Sequence, residues 1–198
     1  MVIKTGCSAS MVAVHEACRA LQAGDVDAAV VGGANVILGP STYTMMSSEG
    51  LISPEGSSKP FDASADGYGR AEAINALFLK RFDDAVRDGN PIRGVIRGSG
   101  TSANGRGVDG LLSPDISAQA ALIRSVYRSA GLDPSETAYI EVLPVVSLFA
   151  FCVCGDTLTA APHRAVYSAT VLAPKRVTAK RHWPLPTFLG VAGSTWVR

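Results

Sequence analysis

Cysteine is scarce in this chain: four residues in 198, too few for a disulfide scaffold. Net charge is almost absent, with 18 basic and 17 acidic side chains and a formal balance of +1, so the composition gives no electrostatic footing for a nucleic-acid binder. No basic n-region followed by an apolar h-region opens the sequence, and the expected compartment is reducing and cytosolic. The uncharged stretch 142–155 contains Pro144 and falls short of the ~20 residues that a membrane span needs. It reads as a buried strand with apolar flanks, and no membrane association is expected. What the chain does have is apolar mass: 47% hydrophobic against 18% charged residues. That excludes a disordered tail protein and suits a domain, or a large part of one, with a real core.

The near-zero charge hides a split. Up to Gly155 there are 12 basic and 16 acidic residues, a net of −4, whereas the remainder carries six basic residues and one acid, a net of +5. Five of the 11 prolines (Pro144, Pro162, Pro174, Pro184 and Pro186) follow Glu141. The tail cations Lys175, Arg176, Lys180 and Arg181 read as a solvated segment, with an acidic partner as the lesser alternative.

The spacing of Met11, Val14, Ala17, Cys18 and Leu21 predicts a helix from Ser8 to Ala23, with Gly24 as its stop. Val2 and Ile3 suggest a short strand before it, and the AAVVGG run at 28–33 a buried strand after it. Residues 39–70 are rich in Gly, Pro and Ser and predict loops around a short helix near 42–48. A strand over 73–81, a short helix through Val86, a strand over 95–101 and a helix from an Asp115 N-cap to Ala130 follow, then a strand starting at Ala138. Strands alternating with helices indicate an α/β fold. Beyond 155 no periodicity is sustained.

Chemistry concentrates in TGCSAS at residues 5–10, between a predicted strand and a predicted helix. A cysteine on such a turn holds its sulfur at the helix N-terminus, where unpaired N–H groups and the dipole favour the thiolate. Cys7 is therefore a candidate nucleophile, against the commoner fate of a buried, inert thiol. Other constellations are weak. Cys152 and Cys154 form C-x-C with no histidine nearby, which does not make a zinc site, and no metal is expected. Gly67-Tyr68-Gly69 and Gly98-Ser99-Gly100 read as turns rather than phosphate loops. A cysteine hydrolase is disfavoured because GCSAS lacks the second glycine of the nucleophile elbow.

The neighbouring segments narrow the choice. CSAS with MVAVHEACRALQAG at 7–24, VGGAN at 31–35, LISPEG at 51–56, FDASADGYGRAE at 61–72, LKRFDDA at 79–85 and PIRGVIRG at 91–98 together resemble beta-ketoacyl synthases. The resemblance is to the ketosynthase domains of fungal-type reducing polyketide synthases, and it covers residues 2–141. It implies a thiolase-like fold, layered α-β-α-β-α and here incomplete. It implies a ketosynthase-like part over 1–141 and a non-matching, Pro-rich basic tail over 142–198 that is poorly ordered. It also implies acyl transfer and decarboxylating Claisen condensation in polyketide or fatty-acid synthesis. Cys7 matches the family nucleophile, with its backbone N–H as one oxyanion-hole donor. No cofactor is bound by the chain itself; substrates come on the phosphopantetheine of an acyl carrier protein, and the family works as a homodimer. Asp62, Asp66, Arg70 and Glu72 are expected to pair structurally.

Two family histidines have no match. Tyr139-Ile140-Glu141 continues as Val142-Leu143-Pro144-Val145 where the family has Cys-His-Gly-Thr-Gly-Thr, and nothing matches its Lys-x-Asn-x-Gly-His motif. His163 and His182 have the wrong neighbours, and His15 lies within the nucleophile helix. The part of the family domain that precedes the nucleophile has no counterpart either. These gaps point to a coding sequence incomplete at its start and misread after Glu141, through a retained intron or a frameshift, with Gly155-Asp156 as a return to the family reading. The expected outcome is a chain inactive in elongation and limited to Cys7 acylation. The alternative is a non-catalytic fragment that offers only a dimerisation or carrier-docking surface.

Overall fold

The computed structural model describes residues 1–59, 62–103, 116–137, 169–173 and 188–192. The chain divides into two compact units, one formed by Met1–Asn35, Ala73–Thr101 and Ser168–Arg198, the other by Val36–Glu72 and Ser102–Tyr167. Helices and strands alternate along the chain, as the α/β expectation requires.

In the first unit, helix α1 (Ala9–Ala23) leads to strand β1 (Ala28–Asn35). Strand β2 (Ala73–Arg81) runs into the short helix α3 (Phe82–Arg87), and β3 (Gly94–Gly100) follows. Strands β4 (Ala169–Ala173) and β5 (Phe188–Ala192) complete a five-stranded sheet in the order β1-β2-β5-β3-β4, every neighbouring pair antiparallel. Helix α1 crosses one face. Its Val14, Cys18 and Leu21, at i, i+4 and i+7, pack with Val31, Leu79 and Ile96 of three strands. The opposite face of β1 and β2 is open, with Val30 73% and Ile74 65% exposed.

The end of α1 shows how the sequence closes the turn into β1. Gly24 adopts φ 78°, and its N–H reaches the Ala20 and Leu21 carbonyls, which a residue with a Cβ does only under strain. Arg81, at the end of β2, donates to the Leu21 and Val26 carbonyls at 3.4 and 2.8 Å and pairs with Asp27 and Asp84 at 2.5 and 2.6 Å. A cation at a helix C-terminus complements its orphan carbonyls and its dipole.

The second unit contains α2 (Ser41–Ser48) and α4 (Ile116–Ala130), the latter stopped by Gly131 at φ 63°. Tyr68 bridges to Ile52, and a Cβ on Gly67 would lie 2.4 Å from the Ser53 nitrogen. The glycine there is a requirement of space and of its φ of 137°.

Three expectations change. Residues 1–5 carry no strand: two β-branched residues have no pairing partner among the described residues. Gly98-Ser99-Gly100 is not a turn but the end of β3, paired with β4 after a register shift between Ile96 and Gly98. Segments without readable periodicity supply β4 and β5; β5 lies between two strands, and a central strand need not alternate. The Asp115 cap, the strand at 138–141, the 142–155 stretch, Cys152, Cys154, His163, His182 and the tail cations lie outside the described residues. Among those described, no helix is long and apolar enough to cross a membrane.

Candidate active site

The polypeptide enters α1 through a single 3-10 turn, Gly6–Ser8. Gly6 has φ 67° with open space around its α-carbon, so glycine is needed here for the left-handed conformation and not for room. Ser8 does not cap the helix; its hydroxyl donates back to the Thr5 carbonyl at 2.9 Å and lies 3.0 Å from the Thr5 hydroxyl. The first N–H groups of α1 are thus left without a side-chain acceptor at the point where Cys7 stands exposed. Such an end favours negative charge, whether a thiolate or the oxyanion of an acyl-transfer intermediate.

Two contacts hold this helix end against the sheet. A Cβ on Gly33 of β1 would lie 3.0 Å from the Ser10 Cβ and 3.3 Å from the Asn75 side-chain oxygen, so only glycine lets β1 come this close to the first turn of α1. Two turns further on, His15 Nδ1 lies 2.9 Å from the Ser99 hydroxyl on β3. Burial holds the His15 imidazole below its ordinary pKa, Glu16 partly opposing and Arg19 adding to the effect. Burial pushes the Cys18 thiol up to about 11, with nearby Ser99 only partly opposing. Cys18 is 1% exposed and chemically quiet.

Cys7 thus stands exposed in the 3-10 turn that opens α1, and among the described residues no other residue singled out as catalytic is brought to it. Gly33 and Ser99 were not readable as partners of the nucleophile helix: they lie 26 and 92 positions from Cys7 in sequence, and only the sheet register makes them neighbours. The charged residues of the 62–72 loop do not pair among themselves. Asp66 and Glu55 share Lys59, Asp62 accepts from Ser64, Glu72 accepts from the Ile37 N–H, and Arg70 donates to the Met46 sulfur at 3.0 Å and the Tyr68 hydroxyl at 3.2 Å. Each ties down a different loop strand, which gives the cluster a structural role through partners the sequence spacing did not reveal. Among the described residues, no group of three His, Cys, Asp or Glu side chains is arranged to hold a metal ion.

Two family models match the chain: "Beta-ketoacyl synthase, N-terminal domain" over residues 1–85 and "Beta-ketoacyl synthase, C-terminal domain" over residues 93–143. Among curated relatives, the highly reducing polyketide synthase VdtX of Byssochlamys spectabilis is 52% identical over 140 residues, 70% of this chain and 6% of that protein. The partially reducing polyketide synthase tpeA of Talaromyces stipitatus is 51% identical over 141 residues, 71% of this chain and 6% of that protein. The chain therefore spans about 6% of the length of the curated relatives it matches. Among solved structures, the ketosynthase from module 6 of the bacillaene synthase of Bacillus subtilis 168 is similar at TM-score 0.67 and 39% identity, over 70% of this chain and 25% of that one. The OzmH KS7 ketosynthase domain of Streptomyces albus JA3453 gives 0.70 and 35%, over 74% and 26%.

Proposed function

The chain belongs to the beta-ketoacyl synthase family, and from that premise we propose that Cys7 is its acyl-accepting nucleophile. The observation that carries the reading is the exposed thiol in a glycine-led 3-10 turn at an uncapped helix N-terminus. In the first half-reaction the Cys7 thiolate attacks the carbonyl carbon of an acyl thioester. A C–S bond forms, the carbonyl oxygen takes negative charge against the Cys7 backbone N–H, and collapse breaks the original C–S bond and expels the carrier thiolate, which takes up a proton. The natural donors are acyl groups on the phosphopantetheine of an acyl carrier protein, and a reducing cytosol keeps Cys7 available as a thiol.

In the second half-reaction of the family, the carboxyl–carbon bond of a malonyl-type thioester breaks and CO2 leaves. The carbanion then attacks the acyl carbon, and the Cys7 thiolate departs, so the chain grows by two carbons. That step needs donors for the enolate charge, and the 198 residues contain neither family histidine motif. We assign acylation to this chain's own residues, and elongation to the layered, dimeric thiolase-like domain of which it represents a part.

The test is intact-mass analysis of the purified chain after incubation with an acyl thioester. A single adduct is expected, located at Cys7, lost in Cys7→Ala, and not elongated by a malonyl thioester. Folded protein that takes no adduct overturns the assignment. Elongation by the chain alone overturns the restriction to the half-reaction.

A further inference from the structure

Helix α1 meets the sheet mainly through aliphatic contacts: Val14, Cys18 and Leu21 on Val31, Leu79 and Ile96. Such contacts hold a helix on a sheet but are non-directional, so a small rotation or slide of the helix changes their sum little. The position of Cys7 needs more than that, because acyl transfer depends on placing the thiolate to within a fraction of an ångström of its approach line. Besides the donation from Arg81 to the Leu21 carbonyl at the far end of α1, two directional restraints lie nearer Cys7. One is steric, the approach of Gly33 to Ser10. The other is polar, and sits in the middle of the helix where the aliphatic contacts would otherwise act alone.

Resting on the acyl-transfer reading above, we propose that His15 and Ser99 are positioning residues for Cys7: their hydrogen bond between α1 and β3 sets the axial position and rotation of the nucleophile helix. Neither touches the acyl group. His15 Nδ1 lies 2.9 Å from the Ser99 hydroxyl. Either the imidazole donates from Nδ1 and the hydroxyl accepts, or the hydroxyl donates to an unprotonated Nδ1. A hydrogen bond is directional in distance and angle, so a rotation or slide of α1 that the aliphatic contacts tolerate weakens it.

The test reads Cys7 in the full 198-residue chain in two ways. One is the rate of its alkylation by iodoacetamide at one fixed pH, with the product located by peptide mass mapping. The other is the dependence of its acylation rate on the concentration of an acyl N-acetylcysteamine thioester. Ser99→Ala and His15→Ala are expected to lower the plateau acylation rate about tenfold, with the half-saturating thioester concentration unchanged. They are also expected to change the alkylation rate about threefold, as the thiol loses its fixed place at the helix end. The double variant is expected to lose no more than either single one, and Ser99→Thr and His15→Asn, which keep a polar group near the same point, to recover most of the rate. If an alanine variant fails to fold, Ser99→Cys replaces it, keeping the volume and weakening the donor.

Wild-type rates in Ser99→Ala and His15→Ala, with only the melting temperature lowered, overturn the proposal. Independent, additive losses overturn it as well. If wild-type Cys7 is alkylated but never acylated, the acyl-transfer reading fails by itself, and the change in alkylation rate still decides whether these residues position the thiol.

Discussion

Cys7 and Cys18 lie eleven residues apart on one helical segment, the first exposed in the 3-10 turn that opens it and the second buried against the sheet. The chemistry of the side chain is the same; the surroundings differ in both respects that matter to a thiol. At Cys7 the backbone supplies uncapped N–H groups and solvent access. At Cys18 the neighbours are aliphatic side chains and one nearby hydroxyl, and the thiol is pushed up to about 11. The segment thus holds one thiol in solvent at its opening turn and the other in the core beneath its later turns.

The largest expected effect tests the holding end. Leu21 is 0% exposed, and Leu21→Ala is expected to cost about 2–5 kcal/mol by urea unfolding, whereas Cys7→Ala leaves the unfolding midpoint unchanged and removes the acyl adduct. Equal stability losses at the two positions would erase the contrast.

Next comes the alkaline side of the stability profile. The Cys18 thiol ionises near 9.0 in the unfolded chain but only at about 11 when folded. The unfolded state therefore loses its proton first, and stability that is complete below pH 9 is lost as pH rises toward 11, by up to about 3 kcal/mol. Cys18→Ala should flatten that decline in urea titrations.

Gly33→Ala is expected to be milder in stability, about 1–3 kcal/mol, because the new methyl meets Ser10 at 3.0 Å and the first turn of α1 must yield. Its sharper signature is a slower acylation of Cys7 than the stability loss alone explains, measured well below the unfolding midpoint. The smallest effect is on the acid side. His15 is held below its ordinary 6.5 by burial, so the unfolded chain protonates first as pH falls. Stability is intact above about pH 6.5 and declines below it. His15→Asn should remove that part of the acid slope in thermal melts followed from pH 7 to pH 5.

Much of this was legible along the chain. The 3.6-residue spacing from Met11 to Leu21, the Gly24 stop, the apolar run of β1 and the helix closed by Gly131 each follow from local rules, and the structure has them where those rules put them. Cys7 was legible because its signal is local as well: glycine, nucleophile and helix start lie within a few residues. The partners of α1 were not, since Gly33, Ser99 and Arg81 reach it only through the pairing of strands far apart in sequence. Ser99 in particular falls within the strand expected over 95–101, but that it meets His15 of α1 follows only from where β3 lies in the sheet. The strands β4 and β5 were hidden for a related reason: a run of five residues, four of them apolar, carries too little pattern to read.

By itself, then, the amino-acid sequence determined the helix that follows Cys7, the glycine-led turn that opens it and the family to which the chain belongs, because each of these depends on residues close together. Only the tertiary structure decided which of the two helix cysteines is available and which is buried, and where the helix is held. Those outcomes depend on the register of β1, β2 and β3 beneath α1, where a missing side chain at Gly33 and one hydroxyl at Ser99 act across distances that no local pattern spans.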